Sequence, residues 1–244
     1  MNRIIKLIKN KLKILLGMKK RKKTFDFNKT NPLGNGGERV DFVFSENLRR
    51  SQLDMYQLNH LNRYEFADLI LPVGSYCADF ACGTGYGSVL LSKQQRRVTG
   101  IDIDKQVISE ITKRYSKIED VNFICQSLLD ISYFEVFDCI VSFETIEHFT
   151  EDNIVKLLGL FKRALKENGF ILFSVPFMQE ESEEAKKMGF HLTFNINESL
   201  IYDWAEKTGM SVVSFWYQNY ATHEVRNHLD NKDFILCKLV KKDG

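Results

Sequence analysis

Glu144-x-x-Glu147-His148 places two carboxylates and an imidazole within five positions, just beyond a short apolar run at 137–141. If the segment is helical, residues i, i+3 and i+4 share a face and the three groups converge. Three roles are open to them. His148 can act as a general base near neutral pH. The set can hold a divalent metal through two oxygens and a nitrogen. Glu147 and His148 can also simply brace the helix that follows. A second constellation lies upstream in Asp79-Phe80-Ala81-Cys82-Gly83-Thr84-Gly85-Tyr86-Gly87. Gly83 and Gly85 let the backbone turn sharply and approach a ligand closely. The turn leads into a helix N-terminus, whose free N–H groups suit anionic or polar groups. The spacing is G-x-G-x-G with an acid four residues before the first glycine, not the G-x-G-x-x-G of a dinucleotide fingerprint. Asp102, in Gly100-Ile101-Asp102-Ile103-Asp104, is an acceptor placed to hold the two hydroxyls of a ribose. Asp104 reads as the cap of the next helix.

Apolar runs at 76–80, 98–101, 121–125, 137–141 and 170–175 alternate with helical stretches near 86–94, 104–116 and 152–165. Such alternation predicts a mostly parallel sheet with helices on both faces. Sheets of this kind bind ligands beyond the carboxyl ends of their strands, which is where all three constellations fall. Residues 46–71 read as one or two helices ending before Pro72. The polar, glutamate-rich stretch 179–187 reads as a surface loop or lid. A helix at 197–208 precedes strands near 210–217 and 233–239, joined by about fifteen residues without helical pattern. These two strands are expected to pair antiparallel at the sheet edge.

The chain divides into a tail (1–23), a loop and helices forming part of the site cover (24–72) and the α/β domain (73–244). The tail holds ten Lys/Arg and no acid, leaving 24 Lys/Arg against 32 Asp/Glu, a net charge of −8, in the remainder. Ile4, Ile5, Ile8, Leu12, Leu15 and Leu16 follow a helical period, and the longest apolar run, Ile14-Leu15-Leu16, is too short for a membrane span. A basic amphipathic helix can lie on an anionic membrane surface, although a solvated or partner-packed arm fits the pattern equally. An acidic body repels a phosphate backbone, which argues against nucleic acid as the partner. Five scattered cysteines without a C-x-x-C pair read as reduced thiols of a cytoplasmic protein, peripheral on the inner membrane face if the tail anchors it.

Taken together, these motifs closely resemble the class I S-adenosylmethionine-dependent methyltransferases, especially the bacterial type 11 group. The likeness runs from about residue 36 to 217. It adds Glu38-Arg39-Val40, the stretch from His60 through Arg63 and Tyr64 to Ala67, Leu165-Lys166-Glu167-Asn168-Gly169 and Phe173-Ser174-Val175-Pro176 to the motifs above. It implies a Rossmann-like seven-stranded sheet ordered 3-2-1-4-5-7-6, with strand 7 antiparallel. It implies that Asp79 and the loop Ala81, Cys82, Gly83, Thr84, Gly85 and Tyr86 hold the methionine end of the cofactor. Asp102 and Ile103 would take the ribose, and Phe143 would line the cofactor. Arg63 and Tyr64 would reach the cofactor carboxylate from the N-terminal helix, or else Arg63 would pair with Glu65 or Asp68. The acid that often binds adenine after the third strand is missing. Ser127, beside Leu128, or a backbone group would have to serve.

Similar E-x-x-E-H sequences occur in ubiquinone-pathway and small-RNA terminal methyltransferases, and in the latter a later histidine completes a metal site. His191 is the counterpart here, so the implied ligands of a Mg or Mn ion are Glu144, Glu147, His148 and His191. Phe215-Trp216-Tyr217 with Tyr220 reads as acceptor pocket or as strand core. The expected activity is O-methylation of a sugar or glycan hydroxyl in bacterial surface polysaccharide or glycolipid assembly, on a small or lipid-linked acceptor. A quinone-like or other lipid-soluble phenol is the alternative acceptor, and a non-catalytic scaffold retaining the fold is the rival from another class.

Overall fold

The computed structural model describes residues 33–34, 39–183, 189 and 191–242. Residues 1–32, which hold the whole basic tail, and residues 35–38 lie outside the described residues.

Five parallel strands form the core of the sheet: β1 (Tyr76–Phe80), β2 (Arg97–Asp102), β3 (Val121–Cys125), β4 (Phe137–Phe143) and β5 (Leu165–Pro176). β6 (Met210–Gln218), β7 (Val225–Arg226) and β8 (Phe234–Lys241) complete it in the order β3-β2-β1-β4-β5-β8-β6-β7. β8 lies antiparallel between β5 and β6, where strand 7 was expected. The eighth strand is the difference from expectation. Val225 and Arg226, within the patternless connection, pair with Gln218 and Tyr217. Two residues are too few to give an alternating signal.

The helices are α1 (Met55–Ile70), α2 (Tyr86–Leu91), α3 (Lys105–Arg114), α4 (Glu151–Ala164) and α5 (Glu198–Lys207). Each of α1, α3 and α5 starts where the sequence supplies a short polar cap. Asp54 and Gln57 form a capping box, Asp104 accepts from Gln106 and Val107 N–H, and Asn197 accepts from Leu200 N–H. On one face of the sheet Leu157, Phe161 and Trp204 pack against Phe80, Ile140 and Phe173. On the other, Leu61, Tyr64 and Ala67 of α1 and Leu90 and Leu91 of α2 cover Cys77, Val141 and Leu172. Double coverage explains why β1 and β4 are buried at nearly every position rather than at alternate ones. Among the described residues no helix is long and apolar enough to cross a membrane.

Candidate active site

The bend after β1 is built from left-handed residues: Ala81 (φ 59°), Gly83 (φ 52°) and Gly85 (φ 76°), the last being the N-cap of α2. A Cβ on Gly85 would stand 2.8 Å from the Phe123 ring, so glycine is required there on both backbone and packing grounds. Gly87 serves a different end. A Cβ there would fall 2.1 Å from Tyr64 Cζ, so its absence lets α1 lay Tyr64 across the first turn of α2. The Tyr64 hydroxyl thereby donates to Asp79 Oδ1 (3.0 Å), and Ser88 Oγ donates to Oδ2 (2.6 Å). Asp79 is fully buried and braces the bend from beneath, with both oxygens already occupied by protein donors.

Burial raises the Asp79 pKa to about 7, against the two hydroxyl donors that favour its ionised form. A carboxyl that keeps its proton longer when folded than when unfolded contributes stability at low pH and loses it as pH climbs. Without ligand, stability should therefore fall between pH 4 and 7 with a slope of up to about 1.4 kcal/mol per pH unit. Denaturant unfolding across that window checks this. Asp79→Asn should flatten the slope, and an unchanged slope would assign it to other groups.

A cavity of about 970 Å³ opens over the carboxyl ends of the strands, at the upper end of the usual range for ligand sites. Ala81, Cys82, Gly83, Thr84 and Tyr86 form its floor. Asp102 stands at one end, 6% exposed, with Oδ2 accepting from Gly83 N–H and Oδ1 from Asp104 N–H, each at 3.0 Å. Each oxygen keeps a second lone pair for a ligand hydroxyl. Ile103, Ser127 and Leu128 carry the wall beyond it, and Phe143 faces the middle. Ser127 Oγ accepts weakly from Leu129 N–H (3.3 Å) as the cap of the short 3-10 turn Leu128–Asp130.

At the other end the E-x-x-E-H segment is not an α-helix. Only Ile146–His148 forms a single 3-10 turn, and Glu144 precedes it in a left-handed conformation (φ 51°). The shared face expected for Glu144, Glu147 and His148 is therefore broken. The Glu144 carboxylate turns to Arg63 (Oε1–Nη1 3.0 Å) and to the Ser174 hydroxyl (2.7 Å). The groups that do converge are Glu147, His148 and His191, each offering a ligand atom within 4.8 Å of the others. Backbone pairing brings the distant histidine in, because Leu192 and Thr193 N–H both donate to the Glu147 carbonyl. The imidazoles of His148 and His191 meet edge to face, with centroids 5.1 Å apart.

Glu147 is 1% exposed, and neither carboxylate oxygen makes a hydrogen bond among the described residues. Burial first, and the nearby Glu144 second, push its pKa well above the usual carboxylate range. Arg63 and the neighbouring N–H groups of Thr145 and Glu147 only partly offset this. A buried carboxylate without hydrogen bonds costs free energy unless something else compensates it. Burial, and then His148, lower the His191 pKa to about 4, which keeps the ring neutral at physiological pH. With Gln179 Oε1 as acceptor (2.8 Å), His191 Nδ1 carries the proton and Nε2 keeps its lone pair.

A family profile described as a methyltransferase domain matches residues 78–169 of the chain, the stretch from β1 into β5 that carries the glycine bend, Asp102 and Glu147. YqeM of Bacillus subtilis (strain 168), named as a methyltransferase, is 30% identical over 108 residues, 43% of this chain and 44% of that protein. The chain thus spans less than half the length of the curated relatives it matches. Among solved structures, a TehB-like SAM-dependent methyltransferase from Corynebacterium glutamicum superposes with a TM-score of 0.57 at 21% identity, over 74% of this chain and 88% of that one. Residues 78–169 thus match a methyltransferase domain, and the chain resembles S-adenosylmethionine-dependent methyltransferases in fold. The [4+2]-cyclase SpnF superposes with a TM-score of 0.63 at 13% identity, over 89% of this chain and 94% of that one. At such identities the superpositions speak for the fold alone, and a cyclase among them shows that the fold does not fix the chemistry.

The residues at this end of the cavity fit S-adenosylmethionine. The glycine bend leaves room for a ligand against bare backbone, and Asp102 offers the two acceptor oxygens that a ribose diol needs. Asp79, Gly85 and Arg63 do not line the cavity. Arg63 is fully buried, its Nε donating to Gln218 Oε1 (2.7 Å) and its guanidinium lying 4.2 Å from the centroid of the Phe234 ring. It pairs with neither Glu65 nor Asp68, which are engaged by Arg50 and Arg96.

Of the aromatic run, Phe215, Trp216 and Tyr217 pack against Tyr202, Phe66 and Phe177, and only Tyr220 reaches the cavity. Tyr56 and His60 of α1 supply the opposite wall, their rings edge to face at 4.9 Å. Burial, and then Arg63, hold His60 neutral, well below its ordinary pKa. Burial, then the charge of Glu144, raises Tyr56 to about 12. The sequence signal for these two was their spacing. Tyr56, His60 and Arg63 follow the i, i+4, i+7 rule and share one stripe of α1.

Proposed function

We propose that the protein transfers a methyl group from S-adenosylmethionine to a hydroxyl of a sugar or glycan, with a divalent cation held by Glu147, His148 and His191. The supporting observation is the buried, unbonded Glu147 carboxylate facing two imidazoles on the cavity wall. Nitrogen lone pairs and a carboxylate oxygen converging on one point are a metal's donor set.

The cofactor supplies a methyl group already activated on a sulfonium, so the protein must align the acceptor and accept one proton. Asp102 and the glycine bend fix the nucleoside at one end, and Glu147, His148 and His191 fix the acceptor hydroxyl at the other. Between them, Tyr56, Tyr220 and Phe234 offer aromatic faces on which a sugar ring can stack. A cation at the triad would lower the acceptor's pKa and hold two adjacent hydroxyls in place. Glu144 stays outside this ligand set because Arg63 and Ser174 hold it. The same aromatic walls favour, as a second acceptor class, a quinone-like or other lipid-soluble phenol.

Methyl transfer from labelled cofactor should be screened against lipid-linked sugars, nucleotide-linked sugars and polyprenylated phenols. Incorporation into a sugar carries the proposal, incorporation only into phenols replaces it, and hydrolysis-resistant label in neither sinks both. Residues 1–23 are proposed to attach the protein to the inner membrane surface by charge and an apolar stripe. Deleting them should release the protein from anionic vesicles and leave cofactor affinity unchanged. Continued sedimentation of the shortened chain with vesicles would place the attachment elsewhere.

A further inference from the structure

The methionine end of the cofactor carries a carboxylate, and the chain must offer it a cation or free N–H groups. Arg63 does not line the cavity: it is fully buried, paired with Glu144, donating through Nε to Gln218 and lying over the Phe234 ring. Among the described residues, two Lys or Arg side chains reach the cavity wall, Arg39 and Lys232. Lys232 belongs to the acceptor end. Its ammonium sits 3.8 Å from the Tyr217 ring centroid, 5.2 Å from that of Phe177 and 3.6 Å from Glu198.

Arg39 lies against the glycine bend, its Cδ 3.9 Å from where a Cβ on Gly83 would stand. Its guanidinium leans on Asp104 (Nη1–Oδ2 3.2 Å) and only loosely on Asp102 (Nη2–Oδ1 3.9 Å). The backbone that carries it is firmly tied. Thr84 Oγ1 donates to the Val40 carbonyl (2.8 Å), Gln57 Nε2 to the Asp41 carbonyl (2.8 Å), and Arg114 pairs with the Asp41 carboxylate (2.7 Å). Phe42 stacks on Tyr86 with centroids 4.2 Å apart. A fixed backbone with a long, weakly held cationic side chain can exchange one anion for another by rotation about side-chain bonds alone. A ribose diol would bind the same Asp102 carboxylate that Arg39 approaches at Oδ1, so an arriving nucleoside would compete with the guanidinium for it.

We propose that Arg39 receives the cofactor's carboxylate, leaving Asp102 and Asp104 as the ribose takes its place. The inference rests on the cofactor reading above and assigns to Arg39 the role that sequence resemblance gave to Arg63. A charge-assisted, two-pronged contact of this kind is worth about 10- to 100-fold in affinity.

Two ligands separate this role from indirect support of Asp102. S-adenosylhomocysteine keeps the amino-acid end, whereas 5′-methylthioadenosine has the same nucleoside without it. In calorimetric titrations, Arg39→Ala should weaken S-adenosylhomocysteine by about 10- to 100-fold and leave methylthioadenosine within about twofold. Arg39→Lys should fall between wild type and the alanine variant. Equal weakening of both ligands would show that Arg39 acts through the ribose site, and unchanged affinity for both would remove it from the cofactor. Either result overturns the proposal. Failure of the wild-type chain to bind S-adenosylhomocysteine would instead remove the cofactor reading on which it stands. Melting curves of the variants confirm that the fold persists.

Discussion

Glu147→Gln is expected to lower methyl transfer by at least about 100-fold and, in the same preparation, to raise the stability of the metal-free protein. The opposite signs follow from one fact. The carboxylate is 1% exposed and makes no hydrogen bond among the described residues, so its ionisation costs the fold more than Arg63 and the nearby N–H groups return until a cation arrives. Its folded-state pKa is raised by burial and by Glu144. Its contribution to stability is therefore present at low pH and lost as pH rises above the ordinary glutamate value. The amide cannot ionise, and the variant should lack that decline. A residue that merely braced the turn at Ile146–His148 would behave otherwise, because its loss would destabilise the protein and leave turnover nearly intact. Chelation supplies the companion measurement. EDTA should abolish turnover and Mn²⁺ or Mg²⁺ should restore it, Mn²⁺ at the lower concentration because two of the three donors are imidazole nitrogens. Full activity in chelator would leave His148 as a general base without metal.

Asp102→Ala should weaken S-adenosylhomocysteine by about 1–3 kcal/mol, the scale of lost hydrogen bonds to a charged group. The structure gives a reason to expect the upper half of that range. Asp102 also accepts from the backbone N–H groups of Gly83 and Asp104, so the alanine variant loosens the glycine bend as well as the ribose contact. Asp102→Asn keeps one acceptor oxygen and should fall between the alanine variant and wild type. Calorimetry reads both, and undiminished affinity in the alanine variant would take Asp102 out of the ribose site.

The sheet was legible in the sequence because its inner strands β1, β2 and β4 are buried on both faces and stand out as largely apolar runs, whereas β3 at the edge is part-exposed. β5 was only half visible. Its first residues, Leu165-Lys166-Glu167-Asn168, are mostly polar and lie at the exposed end of the strand. The glycine bend and Asp102 were legible because steric need and ligand chemistry both fall on adjacent residues.

The candidate metal cluster was legible only in part. Glu147 and His148 are neighbours in sequence, and resemblance supplied His191. The break at Glu144 depends on a left-handed backbone and on Arg63, which is brought up by a separate helix, and no local pattern encodes that meeting. The same long-range packing moved Arg63 from the cofactor to the interior. It is held by Gln218, whose own amide donates to the Asn59 and His223 carbonyls, so residues from α1, β6 and the following connection fix it together.

Titration of S-adenosylhomocysteine into the full chain tests the central claim most directly. Saturable binding of one ligand per chain is the expected result. Absence of any binding heat, at concentrations well above those at which such sites fill and at more than one temperature, would contradict it.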